Sequence, residues 1–154
     1  MVCIDWIIRN NEGDFIPQTV DTLIINEGYV PPYYRNPFLA QAMVNLNMMD
    51  TAGMGIRRSF EKLRERVFPM PDYDLSEKNR VKVIIYGKIL DKQYSKLLLE
   101  NTELSLVEVM LLDRVQKNIV ITKGQSDYLR KNKLIEGIYP NIYVSKKNFW
   151  NCKW

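Results

Sequence analysis

Ten side chains near the end of the chain have the types that meet nucleic acid. Lys123, Gln125, Ser126, Arg130, Lys131 and Lys133 fall within eleven residues, and Asn141, Tyr143, Lys146 and Lys147 follow. Ammonium and guanidinium groups neutralise phosphates, while amides and hydroxyls reach phosphates and base edges. On a helix from Lys123 to Lys133, Tyr128 and Leu129 are expected to be buried. The six residues of the first group are then expected on the exposed side. A basic face with no ligand is the competing reading of the same pattern.

Much other chemistry is excluded. The chain has no histidine, so no Ser-His or Cys-His nucleophile system and no histidine base can form. Cys3 and Cys152 alone cannot complete a structural zinc site, which wants four Cys or His ligands. Catalysis would have to rest on carboxylates, lysines or a bound nucleotide, and the scattered acids read as solvated surface. Two cysteines make no disulfide framework, so a reducing cytoplasm is expected. No stretch approaches the roughly 20 apolar residues of a membrane span. The opening MVCIDWIIRN lacks a small-residue cleavage site.

The charge is divided unevenly. Residues 1–78 hold 8 lysines and arginines against 11 acids, a net of −3, and residues 79–154 hold 14 against 7, a net of +7. Two units meeting at that break are expected. A compact segment at +7 points to a polyanionic partner.

The basic unit must be held by its elements. Val81 to Tyr86 reads as a strand. Asp91 opens a helix that carries Leu90, Tyr94, Leu97 and Leu98 on one face. Ser105 and Glu108 form a capping box for a helix over Leu106 to Val115, apolar almost all round and therefore central. Thr122 and Gln125 form a second box and open the basic helix. Gly137 leads into a hairpin turned at Tyr139-Pro140-Asn141. Three helices followed by a hairpin is the order of a winged helix-turn-helix, whose last helix enters the major groove.

In the acidic unit, the residues from Cys3 to Ile8 read as a strand, NNEG (Asn10 to Gly13) as a turn, and DFIP as a short return ended by Pro17. A short helix is expected over Gln18 to Ile25. Asn36 and Pro37 begin another, with Leu39, Ala42, Met43 and Leu46 on its apolar face. A further helix from Ile56 to Val67 buries Ile56, Phe60, Leu63 and Val67, and turns Arg57, Arg58, Lys62 and Arg64 outward. PMPDYDLSEKN is the expected linker. Gly53-Met54-Gly55 has two readings: backbone N–H groups opened to a phosphate, or a tight turn that needs glycine dihedrals.

The segment YYRNPFLAQAMVNLNMMDTAGMGIRRSF resembles the RNP-L-A…GxGI-R stretch of bacterial regulators labelled RecG-like, which carry a Schlafen-type AlbA domain at the N-terminus. NNEGDFIP is similar to their N-P-G-x-x-P turn, with Glu12 where proline is usual. VKVIIYGKIL, LLDRVQKN and LRKNKLIEG…PNIYVS resemble their winged-helix tail. The resemblance covers Ile4 to Lys147. It implies an α+β chain, a partial GHKL-like ATPase segment over 1–78 and a winged helix over 79–154. It also implies a nucleotide-like pocket around Asn11, Gly13, Gly53 and Gly55. The family helix with the Glu and Asn that serve metal and water is absent here, as is the AlbA domain, so a C-terminal fragment without ATP hydrolysis is expected. No GxxxxGK[ST] loop supports a helicase label.

These readings converge on a non-enzymatic, DNA-binding transcriptional regulator with double-stranded DNA as partner. No cofactor is expected, ATP and magnesium belonging at most to a longer protein. A homodimer is expected from unpaired strand edges. The rivals are a nucleotide-binding ATPase remnant and a protein-interaction module.

Overall fold

The computed structural model describes residues 5–16, 19–26, 33–49 and 54–146. Gly53, Lys147, both cysteines, and the expected strand start and Pro17 stop lie outside them. The chain forms β1 (Trp6–Glu12), α1 (Val20–Ile25), α2 (Pro37–Asn45), α3 (Gly55–Glu65), β2 (Asp72–Asp74), β3 (Arg80–Tyr86), α4 (Lys92–Glu100), α5 (Leu106–Gln116), α6 (Lys123–Lys131), β4 (Ile135–Ile138) and β5 (Asn141–Val144). The fold is α+β, with two small antiparallel sheets among the described residues.

Local signals set the helix starts. The Asn36 side chain accepts from Leu39 N at 2.9 Å, with Pro37 at the first helical position of α2. Asp91 caps α4 through Gln93 N, and Ser105–Glu108 and Thr122–Gln125 are complete capping boxes on α5 and α6. Each box satisfies backbone donors that the first turn leaves unpaired.

The first sheet differs from the expected hairpin. β1 runs straight through Asn10 and Asn11, and no return strand follows it among the described residues. Its partner is β3, from Trp6↔Tyr86 to Glu12↔Arg80. A seven-residue ladder outweighs the turn preference of two asparagines, and the turn-like backbone begins only at Gly13, φ 123°. β2, inside the expected linker, pairs on the other side of β3 from Asp72↔Ile84 to Asp74↔Lys82. The strand expected to open the basic unit is therefore the centre of the first sheet.

α5 is the structural axis. Val109, Met110, Leu111, Leu112 and Val115 are buried, and the helix meets α1, α3, α4 and β5. One apolar cluster joins Ile24, Phe60 and Met70 to Tyr94, Leu112, Leu129 and Val144. Burying each large aliphatic side chain contributes about 1.5–3 kcal/mol. The expected core face of α3 is borne out: Phe60 is buried, and Ile56, Leu63 and Val67 pack against the cluster.

A polar clamp fastens the first sheet to α5. Lys117 Nζ donates to Met70 O at 2.6 Å, and lies 2.8 Å from Asp72 Oδ1 and 2.7 Å from Asp113 Oδ2. Asp113 also accepts from Met70 N and Gln116 Nε2, and Tyr86 donates its hydroxyl to Asp72 at 2.6 Å. Burial holds the Asp113 carboxyl above its ordinary range despite Lys117 and these donors.

The outward placement of Arg57 is corrected, and two apolar faces are less covered than their pattern suggests. The α2 stripe faces outward: Leu39 and Leu46 are exposed, Phe38 is 88% exposed, and only Ala40 of that helix is buried. Arg57 points inward, donating to Ile24 O at 2.7 Å and to Glu61. Leu90 precedes α4 and is exposed, while Tyr94, Leu97 and Leu98 form the buried face.

Candidate nucleic-acid interface

α6 and the β4–β5 hairpin lie side by side. Thr122 Oγ1 accepts from Gln125 N, and Gln125 Oε1 accepts from Thr122 N at 2.9 Å. The half-buried Gln125 is thus occupied at its oxygen by the cap, and only its NH2 end remains as a donor. Lys123, Arg130, Lys131 and Lys133 are exposed. Ser126 is not: its side chain is fully buried, and its hydroxyl has no hydrogen-bond partner among the described residues. It cannot reach DNA from there. At about 100° per residue, Ser126 and Leu129 share the inward side, which turns Gly124, Asp127 and Lys131 outward.

Tyr128, expected in the core, is exposed. Its hydroxyl donates to Glu108 Oε1 at 2.9 Å, and this hydrogen bond raises the phenol above its ordinary range. Burial pushes the Glu108 carboxyl up, but the N–H and hydroxyl of Ser105, the Tyr128 hydroxyl and the Arg64 charge outweigh it, so it lies below its ordinary value. Asp127 places one carboxylate among the cations of the outer face, and the sequence reading passed over it.

Arg130 links helix to hairpin, with Nη2 donating to Gly137 O at 2.7 Å. Gly137 has φ 94°, and a β-carbon there would run into the Asn141 carbonyl oxygen. The hairpin register pairs Glu136 with Tyr143 and Ile138 with Asn141. Alternation along each strand then puts Glu136, Ile138, Asn141 and Tyr143 on one face and Ile135, Ile142 and Val144 on the other. Asn141 and Tyr143 are exposed, and Lys146 Nζ lies 5.8 Å from the Tyr143 ring centre. The sequence reading missed Ile138 and Tyr139 at the tip. Strand alternation back from the buried Ile135 was the available signal.

Of the residues expected around one pocket, Gly13 alone among the described ones lines a concavity that Asn11 and Gly55 do not, and Gly53 lies outside the described residues. Gly13 lines an open concavity of about 420 Å³ with Glu12, Arg35, Glu77, Lys78, Asn79 and Arg80. Asn11 sits in the β1 ladder opposite Val81, and Gly55 is the first residue of α3; neither lines that concavity. Gly13 is needed where the chain is closest: its N–H donates to Asn79 O, and a β-carbon would collide with the Arg35 guanidinium. Arg80 is paired with Glu77 at 2.7 Å, which leaves Arg35 and Lys78 as the cations of the concavity that could meet a phosphate, beside the Glu12 carboxylate. Among the described residues, no group of three or more acidic or cysteine side chains could hold a metal ion.

Residues 5–85 match the family described as "Putative ATP-dependent DNA helicase recG C-terminal". The chain belongs to this family. The match ends at Ile85 in β3, so the family segment takes in the whole three-stranded sheet except Tyr86. No curated protein and no solved structure matches the chain. No helix among the described residues is long and apolar enough to cross a membrane.

Proposed function

We propose that α4, α5, α6 and the β4–β5 hairpin form a winged helix that binds double-stranded DNA, and that the chain acts as a non-enzymatic transcriptional regulator without a cofactor. The carrying observation is the exposed cation set Lys123, Arg130, Lys131 and Lys133 beside a hairpin fixed to the same helix by the Arg130–Gly137 bond. In this reading α6 lies in the major groove, with Lys123 and Lys131 on phosphates and the free amide end of Gln125 near base edges. Asn141 and Tyr143 serve from the hairpin, and Lys146 from just beyond it.

Anisotropy with a mixed-sequence duplex across a salt series tests it. Each neutralised phosphate adds about 0.9 to the log–log slope. Replacing Lys131 by alanine should lower the slope by about that amount. Absence of salt-dependent binding in the wild type removes the proposal.

A second reading has its own support. Family membership and the cationic concavity at Gly13, Arg35 and Lys78 favour a nucleotide-binding ATPase remnant that retains a phosphate site. Calorimetry with ATP, with and without magnesium, separates the two. Heat that Arg35→Ala abolishes supports the remnant, and no heat at millimolar nucleotide excludes it. We further propose a homodimer through the β1 edge and the exposed α2 stripe, with cytoplasmic placement. Light scattering that returns a monomer mass at high concentration overturns the dimer.

A further inference from the structure

The hairpin carries an unusual surface for an element beside a basic helix. From Ile135 to Ser145 it holds no lysine or arginine, and its single charge is Glu136, whose Oε1 accepts from Ser145 Oγ at 2.7 Å. Its outer face sets Ile138 and Tyr143 beside Glu136 and Asn141, and Tyr139 stands at the turn. Ile138 is 82% exposed and Tyr143 48% exposed. An element that gripped phosphates would need cations here. Ile138 and Tyr139 flank the turn, and Tyr143 lies two residues behind Asn141 on the same face as Ile138, so the three lie close together in water at one end of the hairpin.

Two features direct this tip toward DNA rather than leaving it an isolated apolar patch. Arg130 binds the hairpin backbone at Gly137, next to Ile138, so the cations of α6 and the apolar tip are parts of one surface. Lys146 lies over the Tyr143 ring and continues the positive charge past the hairpin. A surface that joins cations to bare apolar side chains fits a ligand that joins phosphates to flat, apolar base faces. Tyrosine rings stack on bases whatever their identity, and aliphatic side chains enter opened base steps as wedges.

We propose that the hairpin is a base-contacting wedge: Ile138, Tyr139 and Tyr143 meet the faces of unstacked bases, while the α6 cations hold the flanking phosphates. The proposal rests on the DNA-binding reading and specifies its ligand as DNA with an opened or unpaired step. Opening a step in perfect duplex opposes insertion, and a bulge or fork presents the step already open.

The test compares three duplexes of equal phosphate number, one perfect, one with a three-nucleotide bulge and one with a fork. Anisotropy is read across a salt series for the wild type, Ile138→Ala, Tyr143→Ala and Lys131→Ala. The wild type should favour the bulged and forked DNA. Each hairpin substitution should remove that preference, with an affinity loss of about fivefold or more and an unchanged salt slope. Lys131→Ala should instead lower the slope on all three and keep the preference. Ile138 and Tyr143 are exposed, so unchanged thermal melts are expected and confirm that the variants fold. Equal affinity for the three DNAs, or a preference that survives both hairpin substitutions, overturns the wedge while leaving duplex binding standing. A lowered salt slope in the hairpin variants, or a change in their oligomeric mass in place of a change in DNA preference, also overturns it. No salt-dependent binding to any of the DNAs removes the DNA reading itself.

Discussion

Lys117 Nζ lies 2.7 Å from Asp113 Oδ2, one turn back on α5, and the two side chains are only 6% and 5% exposed. All three ammonium protons have acceptors, since Asp72 and the Met70 carbonyl complete the set. Replacing Lys117 by methionine keeps the aliphatic stem and leaves the buried Asp113 carboxylate without its cation. Loss of one partner of such a pair costs about 3–5 kcal/mol. Urea unfolding should show a loss of that size, and Lys117→Met with Asp113→Asn should recover part of it. A change below about 1 kcal/mol would mean that solvent reaches the pair.

Glu108 gives a pH dependence of definite sign. Its carboxyl is held below the ordinary value by Ser105, Tyr128 and Arg64, against the upward push of partial burial. A depressed folded pKa contributes stability that is present above the unfolded value, about 4.3, and is lost as pH falls through the folded one. Glu108→Gln keeps a capping residue but does not titrate. The stability advantage of the wild type over this variant should be larger at pH 6 than at pH 3 in paired urea titrations. An advantage that grows toward low pH would contradict the assignment.

Two glycines should respond unequally to alanine. Gly13 and Gly137 both have positive φ, and backbone strain alone costs about 1–3 kcal/mol at each. At Gly13 the obstruction is the end of the Arg35 side chain, which can swing aside; at Gly137 it is the Asn141 backbone. Gly137→Ala should therefore lower the melting temperature more than Gly13→Ala. The reverse order would mean that Arg35 is pinned.

Lys133 follows α6 at φ 60°, with its N–H on Arg130 O and Leu134 N on Leu129 O. This left-handed helix end favours glycine, and an L-residue there costs about 1–2 kcal/mol. Lys133→Gly should raise stability by about 1 kcal/mol while removing a cation from the DNA-facing set. Denaturant midpoints and duplex anisotropy, read together, should move in opposite directions. A stabilised variant with undiminished affinity would take Lys133 out of the interface.

The sequence made the caps legible because a cap is closed within four residues. Asn36, Asp91, Ser105 with Glu108, and Thr122 with Gln125 all start helices where their spacing says they should. The apolar girdle of α5 was equally plain. What lay hidden depends on distant partners. Asn10 and Asn11 look like a turn until β3 supplies the ladder opposite them. Asp72-Tyr73-Asp74 is too short and polar to announce a strand without the same partner. The α2 stripe has helical periodicity, but periodicity does not say whether anything covers it. Among the candidate site residues, Ser126 was misplaced because its polar type suggested solvent, whereas the register set by Leu129 turns it inward. Ile138 was overlooked because charge, not alternation, guided attention to the hairpin.

The place of β3 in the sheet has a further consequence during synthesis. Trp6, Ile7 and Ile8 leave the ribosome early, and every residue through Tyr86 must follow before their strand has its partner. Pairings between strands so far apart in the chain form late, and an unpaired apolar strand is exposed to other chains in the meantime. The half-exposed Trp6 is still partly open after β3 has docked. Growing this protein more slowly or in the cold, with fewer nascent chains side by side, should improve its soluble yield more than any change to the basic half.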